Sequence, residues 1–310
     1  MKKFIISDIH GFGNVYYAMM KYLDNISKEE EIELYINGDL IDRGLESSDV
    51  LLDVKKRIED NKFKIVYLGG NHELMMYDIF EKRKNNIRVP FFNDWYENGG
   101  YVTDDSLAEK LNQDKLNEVV NFISNLKIYH VFKEKIINKP IILVHAAVPM
   151  EAINNKDMRI KDNDSETFYA VWTREHEVIN ILGFEYVNQY ENRVGYDKYF
   201  TIVGHTPTNN KYGFEYHQKQ NYLNIDGGCG AYVQGYFNYD HFPLVEVCEG
   251  YLKILTFNSN NEIIYGNYFN GKKVFPYKKR ELAEARKYLD DTIKIKKLSI
   301  NEDGLVGYWH

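Results

Sequence analysis

The chain has 310 residues, of which 44% are hydrophobic and 27% charged, and its formal net charge at neutral pH is −7. This composition suits a globular protein with a sizeable core and argues against a chain that is disordered throughout. The negative charge argues against general affinity for nucleic acid, and no apolar run approaches the roughly 18 residues that a membrane span needs.

The N-terminus, MKKFIISDIHG, begins with two lysines and a short apolar run. The run ends after Ile6, short of the roughly 7 to 15 residues of a signal-peptide core, so we interpret it as a buried first strand. Cys229 and Cys248 are too few for a disulfide framework or a cysteine zinc site. We therefore expect reduced thiols and a cytoplasmic protein.

Short apolar runs bounded by glycine and polar residues alternate with helical patterns along the first part of the chain. Apolar residues at three- and four-residue spacing predict helices over 15–26 and 48–60, which makes βαβ units of the first strands. Six runs predict buried strands: 4–7, 32–37, 64–70, 140–144, 199–204 and 222–225.

The later part of the chain changes character twice. Residues 73–128 are predicted to be mainly helical, with Thr103 and the Asp104–Asp105 pair at a helix N-cap. Residues 199–257 are rich in predicted strands, and residues 277–291 have the pattern of an amphipathic helix.

Five of the six predicted strands end directly on residues that bind divalent cations. In layered α/β proteins, ligands bind beyond the carboxyl ends of the strands, where the loops converge. One histidine in such a place is most often structural, but five independent endings of this kind predict a metal site. The endings carry Asp8 and His10, Asp39, Asn71 and His72, His145, and His205.

The chemistry of these side chains predicts a site for two metals. Asp8 and His10 alternate along the strand extension and can chelate one ion. Asp39 is the candidate bridge between the two ions, and the second ion is completed by Asn71, His145 and His205. Imidazole, carboxylate and amide ligands without thiolate suit manganese, iron or zinc.

The segment YINGDLIDRGL (35–45) adds the groups that a phosphoester substrate needs. Arg43 lies four residues after Asp39, and its guanidinium can grip two phosphoryl oxygens. His72 is placed to donate a proton to the leaving group, and Asp42 can hydrogen-bond it and keep it protonated.

These motifs resemble the phosphoprotein-phosphatase family of calcineurin-like metallophosphoesterases. The resemblance runs from about residue 4 to 257, in the order DIHG (8–11), GDLIDRG (38–44), GNHE (70–73), HAA (145–147) and GHT (204–206). The segments WYENGGYVTDDSL (95–107), AVWTRE (170–175) and NIDGGCGAYVQG (224–235) are similar to bacterial members of that family.

The resemblance implies a four-layer α/β/β/α fold and two divalent metal ions, for which manganese is our first expectation. It implies that Arg43, Arg174 and Asn71 bind the substrate phosphate and that an Asp42–His72 pair supplies the acid. One metal would be held by Asp8, His10 and Asp39, and the other by Asp39, Asn71, His145 and His205.

Two residues depart from the family pattern without removing a ligand. Ser7 stands where the family has a glycine, and Ala146–Ala147 replace a glycine pair. Apart from the predicted ligands, we take His130 as structural or exposed and Asp226 as shaping a loop beside the site.

We expect a catalytic domain over residues 1–257 with a helical insertion at about 73–130, and a C-terminal extension over 258–310 packed on it. The stretch 271–297 holds ten Lys/Arg against four Asp/Glu. Packing against an otherwise acidic body is the simpler account of this charge than binding of nucleic acid.

The function expected is that of a phosphomonoesterase, first of all a protein serine/threonine phosphatase, in which metal-bound hydroxide attacks phosphorus in line. The partner would then be a phosphoprotein or a phosphorylated small molecule, and not a membrane. Three alternatives stay open: a symmetrical diadenosine tetraphosphate hydrolase, a nucleic-acid-directed phosphatase and a catalytically silent binding protein.

Overall fold

The computed structural model describes residues 1–290 except for 91, 150–151, 153, 155, 174–178, 182–183, 187–197, 209, 219–220, 234 and 236–239. The strands in chain order are β1 (Lys2–Ile6), β2 (Ile32–Asn37), β3 (Lys64–Leu68), β4 (Tyr129–Ile136), β5 (Lys139–Val144), β6 (Ile179–Ile181), β7 (Phe184–Tyr186), β8 (Phe200–Val203), β9 (Glu215–His217), β10 (Tyr222–Asn224), β11 (Phe242–Cys248), β12 (Tyr251–Phe257), β13 (Ile263–Phe269) and β14 (Val274–Pro276). The α-helices are α1 (Gly13–Ile26), α2 (Ser47–Asp60), α3 (Asn71–Lys84), α4 (Asp94–Glu97), α5 (Tyr101–Lys110), α6 (Gln113–Ser124), α7 (Ser165–Trp172), α8 (Cys229–Val233) and α9 (Lys279–Asp290).

Within the described residues, most strands belong to two sheets. The first has the order β14–β13–β12–β11–β1–β2–β3, and the second has the order β4–β5–β8–β10–β9. β1 pairs with β2 and β2 with β3 in parallel, as do β5 with β8 and β8 with β10. β6 and β7 form a separate antiparallel pair.

The two sheets pack face to face, and helices cover their outer faces, so the fold is the predicted four-layer α/β/β/α arrangement. The alternation along β1 shows how the sequence specifies it. Ile5 belongs to the apolar cluster between the sheets with Phe200 and Leu252. Phe4 and Ile6 point to the other face and join the cluster built with the helices. Burying one such side chain contributes about 1.5–3 kcal/mol.

All six predicted strands are confirmed, as β1, β2, β3, β5, β8 and β10, and so are the helices α1 and α2. The predicted N-cap at Thr103–Asp105 is wrong. Helix α5 begins at Tyr101 with Gly100 as its N-cap, so these residues lie inside its first turns. The physical reason is that the Thr103 hydroxyl donates a hydrogen bond to a distant carboxylate, that of Asp42, instead of capping its own helix.

Strand pairing continues past residue 257, because β13 pairs with β12 and β14 with β13. The predicted amphipathic helix is confirmed as α9, which packs on α1. Asn25 donates to the Tyr288 carbonyl at 2.7 Å, and the rings of Tyr22 and Tyr288 lie 5.7 Å apart. The domain division at residue 257 stays a prediction.

No helix in the described part of the chain has the length and apolarity needed to cross a bilayer. The cytoplasmic location stays a prediction.

The carboxyl ends of β1, β2 and β3 meet those of β5 and β8 from the opposite sheet. Asn37, the last residue of β2, joins them, since its amide donates to the carbonyl of Val144 at 3.2 Å. Parallel pairing therefore brings five strand ends, and the polar residues that follow them, to one edge of the sandwich.

Candidate dinuclear metal centre

Three histidines at this edge turn one ring nitrogen each toward Asp39. Each ring is fixed by a backbone carbonyl on its other nitrogen. His10 Nδ1 lies 3.0 Å from the Ile41 oxygen, His145 Nδ1 lies 2.8 Å from the Asn37 oxygen, and His205 Nε2 lies 3.1 Å from the Trp172 oxygen. A proton on these outer nitrogens leaves the inner ones as lone-pair donors, as in histidines that bind metals.

Asp39 lies at the centre of these nitrogens. Its Oδ2 is 3.6 Å from His10 Nε2, and its Oδ1 is 3.3 Å from His145 Nε2. Ligand atoms of Asp39, His145 and His205 all lie within 4.8 Å of one another, and so do those of Asp39, His10 and His72. Asp39 belongs to both groups, which is the position of a carboxylate that bridges two cations.

Asn71 shows that the donor set fits a cation. The amide atom that faces the site lies 3.1 Å from His145 Nε2, 3.0 Å from His205 Nδ1 and 3.0 Å from Asp39 Oδ2. If this atom is the amide oxygen, it faces other hydrogen-bond acceptors. That arrangement is favourable when a cation lies between them and is bound by all of them. Without a cation the amide can turn its nitrogen inward and donate to Asp39 Oδ2 and His205 Nδ1, so Asn71 can serve either state.

The charges around the site suit a divalent cation. Burial alone lowers the pKa of His145, but the carboxylates of Asp39 and Asp8 raise it to about 10. Without a metal, His145 therefore carries a proton where a cation would otherwise sit, and metal binding would release it. Burial and the nearby Arg43 hold the pKa of His10 well below its usual range, which keeps its imidazole neutral.

Asp8 lies beside the cluster. Its Oδ1 accepts from the backbone N–H of His205 at 3.0 Å, and Ser7 donates its hydroxyl to Oδ2. Burial, together with the Asp226 carboxylate, raises the pKa of Asp8 well above its usual range. Gly204 makes room for this carboxylate, because a Cβ there would lie 2.0 Å from Asp8 Oδ2.

The predicted contact between His72 and Asp42 is present. His72 Nδ1 lies 2.6 Å from Asp42 Oδ2, and both side chains are fully buried. The other ring nitrogen, Nε2, has no hydrogen-bond partner within the described residues and lies 3.8 Å from Asp39 Oδ2. A buried ring nitrogen that points toward Asp39, the candidate bridge between the metals, is placed to meet a substrate there.

Arg43 also reaches the centre. Its guanidinium lies 3.0 Å from His10 Nε2, while its Nε is buried without a partner in the described part of the chain. If His10 uses that lone pair for a metal, the guanidinium loses an acceptor and becomes available to an anion. Arg174, the second predicted phosphate ligand, falls outside the described residues.

Three residues that support the site were not predicted to belong to it, and one of them, Thr103, was predicted to cap a helix instead. Glu73 accepts from the backbone N–H groups of Asp39, Leu40 and Gly70 at 2.8–3.0 Å. Trp95 and Thr103 both donate to the Asp42 carboxylate. Glu73 could have been predicted from its place directly after His72. Trp95 and Thr103 lie in the segment 95–107, which was identified only by resemblance and without roles for its residues.

Comparisons with known proteins give the family and the fold of the chain. A family model described as calcineurin-like phosphoesterase matches residues 1–235. No curated protein sequence matches the chain.

Among solved structures, the chain is similar to a protein serine/threonine phosphatase from Saccharomyces cerevisiae with similarity to human phosphatase PP5. The TM-score is 0.50 at 16% identity, over 81% of this chain and 73% of that one. A mutant cold-active protein tyrosine phosphatase matches with a TM-score of 0.45 at 14% identity, over 89% and 80% of the two chains. At such identities, the first likeness shows a shared fold.

Proposed function

The chain belongs to the calcineurin-like phosphoesterases, and from that premise we propose that it is a metal-dependent phosphomonoesterase acting on phosphoserine and phosphothreonine in proteins. One observation carries the proposal. Inner nitrogens of three histidines converge with Asp39 and Asn71, beside a buried His72–Asp42 pair. This is the set of groups that hydrolysis of a phosphate monoester needs.

Two divalent cations fit the donors. Asp8, His10 and Asp39 would hold one, and Asp39, Asn71, His145 and His205 the other, with manganese as the proposed metal. When bound, the two cations supply an activated water and offset the charge of the phosphoryl group.

The chain's own residues do the remaining work. Arg43 donates to the phosphoryl oxygens and orients them, helped by Arg174 and Asn71 in our proposal. His72 passes the proton on Nε2 to the leaving alkoxide oxygen as its bond to phosphorus breaks, and afterwards recovers a proton from water. Asp42 keeps the opposite nitrogen protonated, so that the imidazole can act as an acid.

A second candidate, hydrolysis of diadenosine tetraphosphate, has one observation in its favour. A groove of about 410 Å³ lies between α3 and α7, lined in part by Leu74, Met75 and Trp172. The ring of Phe168, 56% exposed, stacks on Trp172 with centroids 5.7 Å apart. Aromatic faces of this kind suit an adenine ring as well as an apolar peptide side chain.

The test is an assay of the purified protein with Mn²⁺ on p-nitrophenyl phosphate, a phosphoserine peptide and diadenosine tetraphosphate, beside His72→Asn. We expect turnover of the peptide above that of the dinucleotide. His72→Asn should lower kcat on the peptide by about 10²-fold or more, the range for loss of a general acid.

Each part of the proposal has its own contradicting result. Absence of metal-dependent turnover on all three substrates would contradict the proposal that the protein is a phosphatase. A large preference for the dinucleotide would replace the protein substrate by the second candidate. Equal kcat of His72→Asn and the parent enzyme on the peptide would remove the acid role of His72.

A further inference from the structure

We propose that Trp95 and Thr103 are positioning residues for the proton donor His72, acting through Asp42. The inference rests on the proposed function, because a proton donor for the leaving group is needed only if the chain hydrolyses phosphate esters. Both lie in the helical segment between β3 and β4, about 53 and 61 residues along the chain from Asp42.

Both oxygens of the Asp42 carboxylate are occupied by fixed donors. Oδ2 accepts from His72 Nδ1 at 2.6 Å and from the Trp95 indole N–H at 2.8 Å. Oδ1 accepts from the Thr103 hydroxyl at 2.6 Å. The Thr103 oxygen in turn accepts from the Asp42 backbone N–H at 3.1 Å, which closes a ring of hydrogen bonds.

This arrangement fixes the plane of the carboxylate. Asp42 and Thr103 are 0% exposed and Trp95 is 1% exposed, so water does not replace a lost donor. A carboxylate held at both oxygens cannot rotate away from His72, and the imidazole keeps Nε2 toward Asp39. If Thr103 loses its hydroxyl, Oδ1 and the Asp42 N–H lose their partners together, and the carboxylate is free to turn.

Two glycines let the segment approach so closely. A Cβ at Gly100 would lie 2.2 Å from the Trp95 indole nitrogen. Gly99 has φ +89°, and its carbonyl accepts from the backbone N–H of Arg43 at 3.2 Å. The same segment therefore also holds the backbone of the phosphate-binding arginine.

An ion pair ties this segment to the helix that carries His72. Arg83, at the end of α3, donates to both oxygens of Asp104 at 2.8 and 2.6 Å. His72 lies at the start of α3, and Thr103 directly precedes Asp104 in α5. The ion pair between Arg83 and Asp104 therefore holds the helix of Thr103 against the helix of His72.

The experiment compares Thr103→Val with the matched control Thr103→Ser, which keeps the hydroxyl, and with Trp95→Phe. An alkyl phosphate needs a proton on its leaving oxygen, whereas p-nitrophenolate leaves readily without one. We expect Thr103→Val to lower kcat about tenfold or more on phosphoserine peptide. On p-nitrophenyl phosphate, the change should stay within about twofold, and Thr103→Ser should restore turnover of the peptide.

A second measurement does not depend on turnover. The Nδ1 proton of His72, assigned by its loss in His72→Asn, should give a resolved downfield NMR signal in the metal-free protein and in Thr103→Ser. In Thr103→Val that signal should move upfield or broaden, because the hydrogen bond from His72 to the turning carboxylate weakens. If Trp95→Phe fails to fold, the comparison of Thr103→Val with Thr103→Ser still tests whether Thr103 positions His72.

Equal losses on both substrates, or an unchanged His72 signal in Thr103→Val, would overturn the positioning role. If the parent enzyme hydrolyses neither substrate, the proposed function fails, and the NMR signal still decides whether Thr103 holds the pair.

Discussion

Six non-glycine residues at the centre of the site have left-handed backbone conformations. Their φ angles lie between 48° and 72°, in a region that residues other than glycine rarely adopt. Such conformations cost of order 1–3 kcal/mol each and persist only where the surroundings hold them. The residues are Asp8, His10, Asp39, Asp42, Arg43 and His205.

Glu73 is the residue that holds the strained turn at Asp39. Its Oε2 accepts from the N–H groups of Asp39 and Gly70, and its Oε1 accepts from Leu40 N–H and the Tyr67 hydroxyl. All four partners are donors, so an amide in place of the carboxylate would set its NH₂ group against two of them.

We therefore expect Glu73→Gln to lower the free energy of unfolding by about 2–3 kcal/mol and to weaken Mn²⁺ binding about 10–100-fold. Urea unfolding and isothermal titration calorimetry measure the two effects. Glu81→Gln, on the same helix, is the control, because Glu81 pairs with Lys84 at the surface. Equal effects of both substitutions would show that Glu73 does not support the site.

At the residue scale, the sequence allowed prediction of those side chains that are marked by their place at the end of a strand. Asp39 and His145 could be selected because each lies within two residues of the end of an apolar strand. Trp95 could not be connected with Asp42, because 53 residues separate them and only the fold brings them together. The left-handed backbone was hidden as well, since the residues that adopt it are not glycines.

At the scale of elements, strands were predicted well where burial alone decides them. β2, residues 32–37, was predicted with its observed bounds, since all six of its residues are buried. The start of α5 was misplaced, because Thr103 looks like a cap and instead bonds across the molecule. β14 was missed; its three residues are exposed, so no apolar pattern marks it.

β4 offers a test of pH dependence at this scale. His130 lies on this strand with its ring 4.6 Å from that of Tyr35 on β2 and 4.7 Å from that of Phe132. Burial, with a further contribution from Lys64, lowers the pKa of His130 to about 4. The histidine is thus predicted to be neutral in the folded protein down to this pH.

The direction in which stability changes with pH follows from the pKa of His130, which is lower in the folded protein than in the unfolded chain. The unfolded chain, with a pKa near 6.5, takes up a proton that the folded protein does not, so stability is lost as pH falls from about 6.5 to 4. His130→Phe removes this proton and keeps a ring against Tyr35. Between pH 7.5 and 4.5, we expect the parent protein to lose about 1–2 kcal/mol more than the variant in urea unfolding. Identical pH profiles would contradict the buried neutral histidine.

At the scale of the whole molecule, the site is a junction between the two sheets. Asp39 follows β2 of the first sheet, whereas His145 and His205 follow β5 and β8 of the second. Protein contacts already join them, since Asn37 accepts from His145 and donates to Val144 across the junction. A cation held by Asp39 and the two histidines would add a further link that no unfolded chain can form.

Metal binding should therefore stabilise the entire domain. After removal of metals with EDTA, Mn²⁺ at about 100 times its Kd should add about 2.7 kcal/mol to the free energy of unfolding, which corresponds to a rise in Tm of about 5 °C or more. Thermal unfolding followed by circular dichroism measures it. Asp39→Asn removes the carboxylate that we propose bridges the two cations, and it should abolish most of the rise, because both proposed metal positions would be weakened at once. An equal rise in parent and variant would mean that the stabilising ion binds elsewhere and that the two sheets are not joined through Asp39.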